Sequence, residues 1–206
     1  MQPIELLSRS GALVEWATRP KLPGMLFQIF SLLLQVAVGL VAGTCLLRMY
    51  MHLMRINLSA RAGNPLAPFV FAITNWLVLP LRRSVPAMGR LDTASLLAAY
   101  AVVMAKFVLL GLVMGVVPDW VDLLVMSGLE LLKLSVSSLV WLVLIYAMLS
   151  WVRAGSDAGY ALGQLVEPLL RPLRRVVPQV GGVDLTPLAL LVLLQVLEIV
   201  LHHLSP

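Results

Sequence analysis

Four mostly apolar stretches of about twenty residues or more, 25–47, 93–117, 127–151 and 185–204, constrain this chain more than any other feature. Each is long enough to cross a hydrocarbon core roughly 30 Å thick. In lipid, an open strand would leave backbone groups unpaired at several kcal/mol apiece. The spans must therefore be helices, and the expected fold class is all-α transmembrane with four spanning helices. Composition agrees, since 60% of the 206 residues are hydrophobic and only 12% are charged, against roughly 45–50% apolar in soluble domains. The mean hydropathy is +0.96. Small residues within the spans, among them Gly39, Gly43, Ser135, Ser137 and Ser138, permit close helix packing.

The charge balance is basic, fifteen Lys plus Arg against ten Asp plus Glu. The arginines lie beside apolar runs, where lipid phosphates and the positive-inside rule account for them, so nucleic acid is not an expected partner. Cys45 is the single cysteine and lies inside an apolar run, which excludes an intrachain disulfide. The segment 1–24 carries Glu5, Arg9, Glu15, Arg19 and Lys21. It lacks an apolar core of signal-peptide length and reads as an N-terminal interfacial tail, leaving membrane targeting to the first span.

A fifth uncharged run, 62–81, passes for a span on hydropathy alone. An internal repeat argues otherwise. Shifted by 92 positions (153 minus 61), Arg61-Ala62-Gly63 aligns with Arg153-Ala154-Gly155, and Pro80-Leu81-Arg82-Arg83 with Pro172-Leu173-Arg174-Arg175. Pro86 then matches Pro178, Gly89 matches Gly181 and Asp92 matches Asp184, without a gap. The second copy of the doubtful run contains Asp157, Gln164, Glu167 and Arg171 at helical spacing, opposite Ala161, Leu162, Leu165, Val166, Leu169 and Leu170. This is the pattern of a short amphipathic helix at the interface or shallowly re-entrant. The expected organisation is repeat one, 25–117, with an interfacial helix at about 65–80, and repeat two, 118–206, with one at about 157–171. Two spans per copy give both copies the same polarity, so the repeat is parallel, about an axis along the membrane normal.

Nine arginines, Arg55, Arg61, Arg82, Arg83, Arg90, Arg153, Arg171, Arg174 and Arg175, fall in the first and third connections; the second holds only Asp119 and Asp122. The arginine-bearing connections are therefore expected in the cytoplasm and both termini in the periplasm. Within the repeated block, Pro80 and Pro172 are expected to end the interfacial helices. Arg82, Arg83, Arg174 and Arg175 would reach anionic lipid headgroups or a partner's carboxylates. Pro86 with Gly89, and Pro178 with Gly181, would make the reversals into the next spans, and Asp92 and Asp184 occupy N-cap positions.

The doubled block, with Leu-Leu-Arg48, Asn64-Pro65 with Phe69, Ser150-Trp151 and Glu167-Pro168-Leu-Leu-Arg171, resembles the YggT family of bacterial inner-membrane proteins, called YlmG in other bacteria and plastids. The match covers nearly the whole chain from the first span onward. The resemblance implies a two-repeat integral inner-membrane protein whose biochemical activity is poorly defined; that no enzymatic activity or cofactor is expected follows from the residues, which show no catalytic motif. Family members are linked to osmotic tolerance and potassium uptake, to cell division and envelope organisation and, in plastids, to cytochrome maturation. The expected function is a scaffold or assembly factor in envelope organisation or cell division, bound to a membrane or cytoplasmic protein partner. The alternative is a small transporter or channel component in osmotic tolerance or potassium uptake.

Four ionisable residues, Lys106, Glu130, Lys133 and Glu198, fall inside spans, where each costs about 2.5–3.5 kcal/mol on insertion scales. They number two cations and two anions, which suits a neutral lock between spans two, three and four; an ion path and a partner contact are the other readings. His52, His202 and His203 have no Cys or carboxylate at ligand spacing, so no metal site is expected. No catalytic motif occurs.

Overall fold

The computed structural model describes residues 24–55, 66–85, 91–116, 119–152, 157–176 and 184–203. These form six helices and no strand: α1 (Gly24–Leu53), α2 (Leu66–Ser84), α3 (Thr93–Met114), α4 (Trp120–Val152), α5 (Asp157–Leu173) and α6 (Thr186–His203). Helices α1, α3, α4 and α6 are long and apolar enough to cross a membrane. Their outward surface supports that assignment. Leu32 is 62% exposed, Val36 62%, Leu112 64% and Val192 61%, an amount of apolar surface that a soluble protein would hide.

Two clusters of buried side chains hold the helices together. The first joins Val38, Ala42, Cys45 and Leu46 of α1 to Val78 of α2 and to Ala94, Ala98, Ala99 and Val103 of α3. The alanines let α1 and α3 approach closely, which matters because burial from lipid supplies no hydrophobic drive and packing must do the work. The second joins Val136, Leu142 and Val143 of α4 to Leu162, Leu165, Val166 and Leu170 of α5 and to Leu190, Leu194 and Leu201 of α6, with Met51 and Val70 entering from α1 and α2. The Tyr50 hydroxyl donates to the Leu165 carbonyl at 2.7 Å and ties the end of α1 to α5.

Several elements run past their expected ends. Helix α1 continues beyond residue 47 to Leu53, because Arg48, which looked like a span terminus, is buried, hydrogen-bonded to α2 and 3.8 Å from Asp92. Helix α4 starts at Trp120 rather than 127, since Asp122 in its first turn suits the positive end of the helix dipole. Pro80 does not end α2, which continues to Ser84, and Pro172 lies inside α5. A proline disturbs the turn before it, whereas the turn after it can still close. Val85 indeed donates to the Leu81 carbonyl at 2.8 Å. Helix α3 stops at residue 114 through a glycine cap: Gly115 has φ 76°, with Val116 donating to Gly111 and Gly115 to Leu112. This Schellman closure needs the left-handed conformation that glycine adopts without strain.

Helix α5 buries Ala161, Leu162, Leu165, Val166 and Leu170 and exposes Tyr160, Gln164 and Arg171. Helix α2 buries Ala67, Val70, Thr74 and Val78, but its outer face carries Phe69, Trp76 and Leu79, each more than half exposed. The two helices flanking the arginine blocks thus differ in what they present outward.

Candidate functional site

The two arginine blocks are built around the same contact. Arg82 donates to the Asp92 carboxylate at 2.6 Å, and Arg174 Nε to the Asp184 carboxylate at 3.1 Å, each across ten residues. Each carboxylate also caps the following helix. Asp92 accepts from the Ser95 amide and, at 2.8 Å, from the Ser95 hydroxyl; Asp184 accepts from the Thr186 amide at 2.9 Å. One arginine of each pair therefore fixes the turn into the next helix instead of reaching outward. Burial by itself would raise both carboxyls. Hydrogen bonds and charge from Arg82 and Ser95 hold Asp92 below its ordinary value, and those from Thr186 and Arg174 do the same for Asp184.

The surroundings of the two contacts differ. Around Asp92, which is fully buried, Arg48 supplies a second cation. Its Nη1 donates to Thr74 Oγ1 at 2.8 Å and Asn75 Oδ1 at 2.9 Å, its guanidinium lies over the Phe71 ring at 5.1 Å, and its Nε is 3.8 Å from Asp92. Around Asp184 the position matching Arg48 is Val140, and Glu167 replaces Asn75. Glu167 takes both of its oxygens to Arg174 Nη1, at 3.0 and 2.8 Å. The first cluster thus carries a net +1 and is mostly interior, whereas the second carries a net −1 and is solvent-reachable, its side chains 31–43% exposed. Sequence reasoning gave Arg48 no role. Its signal was its place within an apolar helix, five residues short of that helix's end, opposite a helix whose buried face contains Thr74.

Arg83, Arg171 and Arg175 are exposed and make no ion pair among the described residues. The expected turn residues Pro86, Gly89, Pro178 and Gly181 lie outside the described residues.

Of the four intramembrane charges, the structure brings Lys106 and Glu130 together at 2.5 Å between α3 and α4, with the ammonium 4.7 Å from the Phe107 ring centre. Lys106 is 8% exposed. Lys133 and Glu198 are half-buried, and among the described residues neither forms an ion pair. Of the expected lock, the ion pair seen among the described residues is Lys106 with Glu130. Lys133 lies one turn along α4 from Glu130, whose carboxylate is turned to α3, and α6 packs on α4 through Leu190, Leu194 and Leu201 rather than through Glu198.

These features define a helical membrane protein in which two of the four candidate spans, α3 and α6, are entered through arginine-clamped aspartate caps. The model of the CCB3/YggT family matches residues 25–113 and 125–205, and the chain belongs to that family. It is 37% identical over 171 residues to the uncharacterized protein YggT of Escherichia coli K12, covering 82% of this chain and 86% of the relative. It is 41% identical over 142 residues to an uncharacterized protein of Vibrio alginolyticus (66% and 77% covered), and 31% over 159 residues to one of Haemophilus influenzae (76% and 82%). No solved structure matches.

Proposed function

We propose that this protein is a non-enzymatic scaffold or assembly factor of the bacterial inner membrane, acting in envelope organisation or cell division. In this reading it docks acidic partners or anionic headgroups on the cytoplasmic face. The carrying observation is the division of labour inside each arginine pair: Arg82 and Arg174 are spent on Asp92 and Asp184, whereas Arg83 and Arg175 are exposed and form no ion pair among the described residues. A motif that only closed a turn would need one arginine. The second, without an ion pair among the described residues, is left for a ligand, and Arg171 adds a third exposed cation beside it.

The test separates the two roles. Arg83→Gln with Arg175→Gln should leave thermal stability within about 0.5 kcal/mol of the parent, as for ordinary surface changes, while weakening binding to phosphatidylglycerol vesicles or to crosslinked partners. Arg82→Gln with Arg174→Gln should do the reverse and lower stability first. Equal partner capture and vesicle binding by the first variant and the parent would overturn the docking function.

The docking face must be cytoplasmic in this reading. Single cysteines in place of Arg83 and Arg175, on a Cys45→Ala background, should resist an impermeant thiol reagent added to intact cells until the membrane is opened. A cysteine in place of Asp119 should react at once. An externally reactive residue 83 would reverse the orientation.

A transport role in osmotic tolerance or potassium uptake is the second reading, supported by the Lys106–Glu130 pair within candidate spans. Lys106→Met with Glu130→Gln separates the two: unchanged ion flux and osmotic growth in the double variant would eliminate transport through this pair.

A further inference from the structure

An apolar groove of about 440 Å³ runs between α1 and α4. On α1 it extends from Gly39 to Tyr50 and on α4 from Ser135 to Ile145. At about 1.5 Å per helical residue it is roughly 16 Å long, which equals one leaflet of a hydrocarbon core roughly 30 Å thick. It occupies the half of α1 that leads to Arg55, so its leaflet is the one bordering the arginine blocks.

The chemistry of the walls narrows the occupant. Thr44 Oγ1 donates to the Leu40 and Val41 carbonyls of its own helix, and Ser135 donates back to Leu131. The Tyr50 hydroxyl is taken by Leu165. These hydroxyls are turned away from the groove, leaving aliphatic walls such as Leu40, Leu139 and Leu142, with Trp141, 61% exposed, at one rim. A polar ligand would lose its hydration with only the Ser138 hydroxyl in return. Gly39 keeps it open, since a Cβ built there meets nothing within 4 Å.

We infer that the α1–α4 groove is a binding site for one acyl chain of a membrane phospholipid from the arginine-side leaflet, with its headgroup at the level of Arg55.

The experiment uses the full-length protein purified in detergent. Native mass spectrometry should find one more retained phospholipid per chain in the parent than in Gly39→Leu, whose side chain fills the groove. Val36→Leu, which adds one methylene on the outward face of the same helix, should match the parent. Added phosphatidylglycerol should raise the melting temperature of the parent and of Val36→Leu, but not of Gly39→Leu, as expected for a ligand that binds only the folded state. A second measurement needs no groove-filling variant. With Trp16, Trp76, Trp120 and Trp151 replaced by Phe, phosphatidylglycerol carrying one dibrominated chain should quench Trp141 in micelles and saturate at one lipid per chain. Quenching that never saturates, or equal lipid retention in Gly39→Leu and parent, overturns the site. A parent dimer that Gly39→Leu converts to a monomer without changing lipid retention would make the groove a seat for a second copy and would equally overturn it.

Discussion

Asp92→Asn should lower the unfolding free energy, read by titration with a denaturing detergent in mixed micelles, by about 3–5 kcal/mol, the range for removing one partner of a buried ion pair. The mechanism is the charge left behind. Asp92 is fully buried and Arg48 is 3% exposed, so without the carboxylate Arg48 becomes an uncompensated interior cation. Asp184→Asn alters the matching contact but should cost under about 1 kcal/mol, because its arginine is 38% exposed and water takes over. A comparable loss in the two variants would refute the burial argument. Combining Asp92→Asn with Arg48→Met should recover part of the loss, since the costly unpaired charge goes with it. The same cluster sets a pH dependence. Asp92 titrates below its ordinary 3.8 in the folded chain, so the unfolded chain binds the proton more readily. Its contribution is complete above that ordinary value and disappears as pH falls below it toward the lower folded one. The Asp92→Asn variant should show a correspondingly flatter acid limb.

Lys106→Met should destabilise the protein by about 2–3 kcal/mol, the scale on which an ionised group inside a span is penalised. Glu130, 30% exposed and turned to α3, would lose the ammonium that now sits 2.5 Å away. Lys106→Met with Glu130→Gln should be more stable than Lys106→Met alone, because removing both ions also removes the cost of holding one unpaired. Strict additivity of the single losses would mean that the pair carries no coupling and that Lys106 packs only through its aliphatic stem. Lys133→Met and Glu198→Gln, which alter residues without an ion pair among the described residues, should each have the smaller effect.

The helical class and the four membrane helices were legible in the sequence because they depend on local quantities: the length of an apolar run against the thickness of a bilayer, and the requirement that backbone groups pair within the segment. The 92-residue offset was legible for the same reason, being written directly in residue identities. The amphipathic helix at 157–171 followed from the period of its polar residues, and α5 carries Gln164 and Arg171 on its outer face, with Ala161, Leu162, Leu165, Val166 and Leu170 buried. Helix ends were less legible. Arg48 looked like a stop, and Pro80 like a terminator, because the partners that make each tolerable lie on other helices or on the turn that follows.

What only the tertiary structure decided is which charge meets which. Spacing places Arg82 and Arg83 side by side with no means of choosing between them; the path from α2 into α3 delivers one to Asp92 and leaves the other exposed. Depth along the chain puts Lys106, Glu130, Lys133 and Glu198 at comparable levels in the membrane, but depth is one coordinate of three. Pairing also requires the rotation of each helix about its axis, and that is set by the packing of Ala98, Val103, Leu131, Leu190 and Leu194 with residues far away in sequence. A charge inside a membrane is costly enough that the sequence alone implies it needs a partner, whereas the identity of that partner emerges only when apolar packing has fixed the helix faces.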